Sequence, residues 1–238
     1  MSENIKKTTK AFKVDLDSRE NQSILKPIAC PFNNQAHQIN EATKKIYELI
    51  KNAKHSNDGI VLNHNKIKEA FFSPFKPQLK NAQVFLSHSH ADKNKALKVK
   101  GYLEEYRDAE CVFIDSLFWD YKDDVLSKLA KYDDISKIED AFTLILRESL
   151  EDMIEKCPYF VFLQSSNSVS NQWLSRNQDL LKITYSAWIY EELKIAHSIS
   201  ESRPIPMMES MQVFHDISPF LESFETIRLS ELSRIINS

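Results

Sequence analysis

Residues 83–93 read QVFLSHSHADK, and the change of pattern inside them decides the fold. Val84-Phe85-Leu86 is an unbroken apolar run of strand-forming residues. From Ser87 the chain turns polar and enters a helix-like segment in which Ala91, Leu97, Val99 and Leu103 stand among lysines. A strand apolar on both faces, followed by a helix, is the repeating unit of a parallel sheet. The unit recurs downstream. Cys111-Val112-Phe113-Ile114 is a second buried-strand candidate, and Tyr159-Phe160-Val161-Phe162-Leu163 is the third and strongest. Helical spacing predicts helices over 139–156 and 186–199. A fourth strand is expected at Pro204–Met208 or Gln212–Phe214 and a fifth at Phe224–Leu229, before a short C-terminal helix. The expectation is an α/β domain with five parallel strands covered by helices on both faces. Right-handed crossovers then bring every strand's C-terminal end to one edge, where ligands bind in such folds.

Upstream the pattern differs. Residues 1–80 carry 14 basic and 8 acidic side chains, whereas 81–238 carry 17 and 26, so the sign of the charge changes near residue 80. Ser73-Pro74-Phe75-Lys76-Pro77 marks the same place, because neither a helix nor a central strand continues through it. The expected division is an appendage over 1–80 and a main domain over 81–238. Within the appendage, 1–24 is polar and expected to be poorly ordered. Ile39, Ala42, Ile46, Leu49, Ile50 and Ala53 predict an amphipathic helix over 35–54, and a second short helix is expected from Lys66 to Phe72.

Composition excludes several function classes. Only two glycines, Gly59 and Gly101, occur in 238 residues. Neither a P-loop nor a Rossmann dinucleotide turn can be written without more of them. The net charge of -3 gives no bulk attraction to nucleic acid or to an anionic membrane. No run of 18 apolar residues is present, and the N-terminus has no apolar core of a secretory signal. Cys30, Cys111 and Cys157 are odd in number, widely spaced and without a CxxC, as expected of reduced intracellular thiols. The expected location is the cytoplasm, with no nucleic-acid or membrane partner.

The strand ends carry the chemistry. Ser87, Ser89, His90, Asp92 and Lys93 follow the first strand, Asp115 and Ser116 the second, and Gln164 to Ser168 the third. These small polar groups can bind hydroxyls, amides and phosphates. The N-terminus of the helix near Ala91 can hold an anion with help from Lys93. The plainer alternative is that Ser89 and Asp92 cap that helix. His88-Ser89-His90-Ala91-Asp92 also matches HxHxD, the start of a metallohydrolase motif. Lys93 stands where its next ligand belongs, and only His197 and His215 remain as distant ligands, so no metal is expected. The acidic stretch Asp115, Asp120, Asp123, Asp124, Asp133 and Asp134 lacks the pattern of a calcium loop and reads as a solvated loop and helix start.

Taken together, four segments resemble the boxes of Toll/interleukin-1 receptor (TIR) domains. Residues 83–93 resemble the first box, a strand followed by Ser-x-Ser and Asp. Val112-Phe113-Ile114-Asp115 resembles the second strand with its terminal Asp, and Tyr159–Ser168 the third strand with its serine-rich turn. Ser186-Ala187-Trp188-Ile189-Tyr190-Glu191-Glu192-Leu193 is similar to the family's Ser-x-Trp-x-x-x-Glu-Leu helix. The likeness covers roughly 82–230. It departs from the family in residues 1–80, in the long span from Ser116 to Lys137 and in the insertion from Asn167 to Tyr185, which includes Trp173. These lengths resemble bacterial members more than receptor adaptors.

The resemblance implies a flavodoxin-like sheet, and an enzyme that cleaves NAD at the nicotinamide–ribose bond. The products are nicotinamide and ADP-ribose or a cyclic isomer. NAD is the substrate, and no cofactor is implied. It further implies homo-oligomers through contacts between TIR domains, and a place in bacterial anti-phage defence or signalling. Glu192 is the implied catalytic carboxylate, four residues after Trp188 and so on the same helical face. Ser87, Ser89, His90, Asp92, Asp115, Trp119 and Trp188 are the implied substrate-side residues. Two alternatives are a non-catalytic interaction or signalling module of the same fold and a metal-dependent hydrolase built on HxHxD.

Overall fold

The computed structural model describes residues 9–25, 43–49, 51–52, 54–56, 59–61, 63–72, 80–105, 111–130, 136–172, 181–201 and 215–237. Ten strands are described: β1 (Lys10–Asp15), β2 (Lys54–Ser56), β3 (Gly59–Val61), β4 (Val84–Ser87), β5 (Val112–Ile114), β6 (Tyr159–Gln164), β7 (Ser170–Gln172), β8 (Leu181–Thr184), β9 (His215–Asp216) and β10 (Glu225–Thr226). Five of them form one parallel sheet in the order β10-β1-β6-β4-β5. The arrangement is α/β and flavodoxin-like, as expected.

The sheet core follows from the apolar runs. All four residues of β4 are buried, and Phe160 to Leu163 of β6 have no exposed surface. Strands this apolar on both faces require cover on both sides. Phe85 on β4 stacks on Phe113 of β5 (5.7 Å) and on Phe160 of β6 (5.8 Å), an aromatic ladder across three neighbouring strands. The helix Lys93–Glu104 buries Ala96, Val99, Lys100 and Leu103, one stripe at helical spacing. Its last turn is fastened to β5. Glu104 Oε1 accepts the N–H groups of Cys111 and Val112, both at 2.8 Å, and the Lys100 ammonium at 2.9 Å; Lys100 also donates to the Val112 carbonyl. Cys111 and Cys157 are both buried, and burial pushes the Cys157 thiol up to about 12.

The N-terminal segment differs from expectation. Residues 10–15, read as part of a poorly ordered tail, form β1 inside the sheet, paired with β6 along six residues and with β10 on the other side. In the flavodoxin-like order 2-1-3-4-5, this N-terminal strand occupies the fourth place. The fourth-strand candidates 204–208 and 212–214 lie outside the described residues. The reason lies in Phe12, Val14 and Leu16, which alternate with Lys13, Asp15 and Asp17. All three apolar members are buried. β1 is then anchored by its own turn. Asn21, itself buried, donates to the Asp15 carbonyl at 2.7 Å and accepts the Leu229 N–H at 3.1 Å, tying this turn to the C-terminal helix Leu229–Asn237. The fifth strand, β10, falls within the expected 224–229.

Two compact units are present. The first comprises 1–29, 81–116 and 153–238, and the second 30–80 and 117–152. The expected division into 1–80 and 81–238 is not the division into these units, since the first unit takes in 1–29 and the second 117–152. The expected long loop after β5 is largely helical: Asp115–Leu129 is a helix, and a second helix spans Ser136–Lys156. Within the second unit, residues 43–49 and His64–Phe72 are helical, near the two helices expected there. Phe71 packs edge-on against Phe142, and Lys68 pairs with Glu148 and Asp152. The insertion after β6 supplies β7 and β8 of a small antiparallel sheet, and β9, from beyond the helix Ala187–Glu201, pairs with β8 as its third strand.

Candidate active site

From β4 the chain steps outward to β5 and then returns to β6 on β4's other side. The direction of winding reverses between β4 and β6, and such a switch point opens a crevice at the C-terminal edge of the sheet. Ser87 closes β4 there, level with Phe162 of β6. Opposite comes the helix Ala187–Glu201. Its start is set by Ser186, whose hydroxyl accepts the Ile189 N–H at 3.2 Å. One turn further along, Glu192 turns inward and is fully buried, as are Leu193, Ile195 and Ala196. The Ser87 hydroxyl donates to Glu192 Oε2 at 2.6 Å.

A second polar network lies on the same edge. Asp92 is 1% exposed, and its carboxylate accepts from the Ser165 hydroxyl, from Asn167 Nδ2 at 3.0 Å and from the Lys95 ammonium at 3.2 Å. Lys95 also pairs with Asp17 Oδ1 at 3.2 Å, and Asp17 Oδ2 accepts the Ser166 N–H at 2.8 Å. The loops after β1, β4 and β6 are thereby joined. The Ser166 N–H, with help from Lys95, holds the Asp17 carboxyl below the usual carboxylate range. Burial pulls the Lys95 ammonium down, but its bonds to Asp92 and Asp17 outweigh that and leave it above the usual lysine value.

The structure therefore brings together Ser87 with Glu192, and Asp92 with the turn after β6. Ser89 begins the short 3-10 turn His90–Asp92, and neither its side chain nor that of Asp92 makes a helix-cap hydrogen bond. Capping thus does not account for either residue. His90 is exposed and Trp188 half-buried. Asp115 and Trp119 lie on the helix Asp115–Leu129, and their side chains are outside those described. Lys95, rather than Lys93, supplies the ammonium in the network. Asp17 was not foreseen at all. The available signal was the period-two alternation from Phe12 to Leu16, which ends in an aspartate at the edge where the other strands end.

The metal alternative gains nothing from this geometry. No group of three or more ligating side chains occurs among the described residues. Of the HxHxD residues, His88 is buried, His90 is exposed and Asp92 is engaged by Ser165, Asn167 and Lys95. His197, one of the two distant ligands that alternative would need, bonds Ser223 and packs on Phe220.

Comparison of the chain with protein-family models, with curated proteins and with solved structures returns no match.

Proposed function

We propose that the chain is a NAD nucleosidase that cleaves the nicotinamide–ribose bond, with Glu192 as its catalytic carboxylate. The observation that carries this reading is the meeting of Glu192 and Ser87 at the C-terminal end of β4. It is supported by the four segments that resemble TIR boxes in order. In the reaction the bond from ribose C1′ to the pyridinium nitrogen breaks, and its electron pair leaves with nicotinamide as a neutral base. No strong general acid is needed. The ribosyl group gains oxocarbenium character, which a nearby carboxylate stabilises. Water then adds to C1′ and loses a proton, giving ADP-ribose; attack by an adenine nitrogen instead gives the cyclic isomer. The carboxylates of Asp92 and Glu192, the former paired with Lys95, suit this edge to a cationic pyridinium.

Glu192 has no exposed surface, so the substrate reaches it only after the side chains over it move. The proposal includes assembly of copies, in the cytoplasm, as the event that opens the site. The same burial favours a second reading, in which the fold is a non-catalytic interaction or signalling module and Glu192 a structural carboxylate. Incubation of purified protein with NAD over a range of protein concentrations separates the two. Nicotinamide released in steeper than linear proportion to protein, and lost in Glu192→Gln, supports the enzyme. No release at any concentration supports the module.

A further inference from the structure

We infer that Asp17 is a positioning residue of this site, holding the turn after β6 against the start of the helix after β4. The inference rests on the nucleosidase reading for its catalytic consequence. Its geometry stands apart from that reading. The turn Ser165-Ser166-Asn167 is gripped from two sides. Asp92 takes the Ser165 hydroxyl and the Asn167 amide, and Asp17 takes the Ser166 N–H. Lys95 bridges the two carboxylates at 3.2 Å each. Asp92, at 1% exposed, is the inner grip, whereas the Asp17 and Lys95 side chains are each 39% exposed and form the outer one.

Asp17 stays in place because its own turn is built for it. The Asp17 N–H donates to Asp15 Oδ1 at 2.9 Å, and the Leu16 N–H donates to the Gln164 carbonyl at 2.8 Å. The turn after β1 is therefore fixed to the end of β6, one residue before the serine turn begins. An interior strand that arrives from the N-terminus thus carries a charged side chain to the switch-point edge. Asp17 touches no reacting group and acts through the serine turn and Lys95. Without it the edge keeps its inner grip and loses the outer one.

The test uses the full chain and two variants. Asp17→Ala removes both acceptors, while Asp17→Asn keeps an acceptor for the Ser166 N–H and loses the charge facing Lys95. Amide hydrogen exchange is followed over 164–169, with circular dichroism as the check on folding. Asp17→Ala is expected to exchange about tenfold faster at these amides, and Asp17→Asn to retain most of the protection. With NAD, Asp17→Ala is expected to lose roughly tenfold to a hundredfold in kcat with little change in KM, and Asp17→Asn to recover part of it. Unchanged exchange in Asp17→Ala overturns the inference whether or not the protein turns over NAD. Faster exchange with unchanged kcat overturns the positioning role and leaves Asp17 a stabilising residue. A wild-type chain that releases no nicotinamide overturns the nucleosidase reading, while the exchange data still decide whether Asp17 holds the turn.

Discussion

Ser87 and Glu192, 105 positions apart in the chain, share a 2.6 Å hydrogen bond at the C-terminal end of β4. Both side chains are fully buried. The bond joins the first strand of the winding to the helix that follows the antiparallel insertion. Ser87→Ala removes a donor from a buried carboxylate, which costs about 1–3 kcal/mol. The expected outcome is a lower denaturant midpoint at unchanged m-value, with a further loss of activity if the carboxylate is the reacting group. An unchanged midpoint means that the bond adds nothing to stability.

Removing residues 1–16 tests the place of β1. Burial of Phe12, Val14 and Leu16 is worth about 5–9 kcal/mol in all, comparable to the whole stability of an ordinary domain. The truncated chain also exposes the long edge of β6 and leaves β10 without its neighbour. It is expected to aggregate or to lose near-ultraviolet dichroism. A soluble truncated chain with a native near-ultraviolet spectrum contradicts this sheet order.

Glu104→Ala tests the clamp between the helix Lys93–Glu104 and β5. The variant leaves the buried Lys100 ammonium without its carboxylate and takes an acceptor from the Cys111 and Val112 amides. Loss of one member of a buried pair costs about 3–5 kcal/mol. A fall in melting temperature of under about 2 °C is too small for that role.

Acid sensitivity has a fixed sign. Asp17 is held below the usual carboxylate range by the Ser166 N–H and Lys95, and Glu148 is held below it by its hydrogen bond from His64 and by Lys68. A depressed carboxylate stabilises the fold above its unfolded pKa, and that stability is lost as pH falls through the lowered folded value. Both side chains are more than a third exposed, so each effect is small. Asp17→Asn and Glu148→Gln are each expected to flatten the fall of stability below about pH 4. Denaturant titrations from pH 7 to pH 3 read this, and a steeper acid limb in either variant contradicts it.

Much of this architecture is written locally. Val84–Leu86, Val112–Ile114 and Tyr159–Leu163 are strands because both their faces are apolar, and the helix over 187–201 follows from its spacing. Local pattern cannot assign order in the sheet. β1 has a half-polar alternation that resembles an edge strand, yet it lies inside, because Asn21, Gln164 and Leu229 fasten its turn from distant parts of the chain. For that reason Asp17 was hidden, while Ser87 and Asp92 stand visibly after a strand and Glu192 is singled out only by the resemblance of residues 186–193 to a TIR segment. The acidic span after β5 reads as a solvated loop and helix start; Asp115, Asp120, Asp123 and Asp124 stand on the helix Asp115–Leu129, on which Val125 and Leu129 are buried, and Asp133 and Asp134 lie outside the described residues.

The most direct test is nicotinamide release from NAD, measured by chromatography for the wild-type chain and for Glu192→Gln, which keeps an acceptor for the Ser87 hydroxyl. Wild-type protein is expected to release nicotinamide once concentrated enough to assemble, and Glu192→Gln to be slower by about a thousandfold with its fold intact. Turnover that survives in the folded Glu192→Gln variant, or a wild-type chain inactive in every assembled state, contradicts the account.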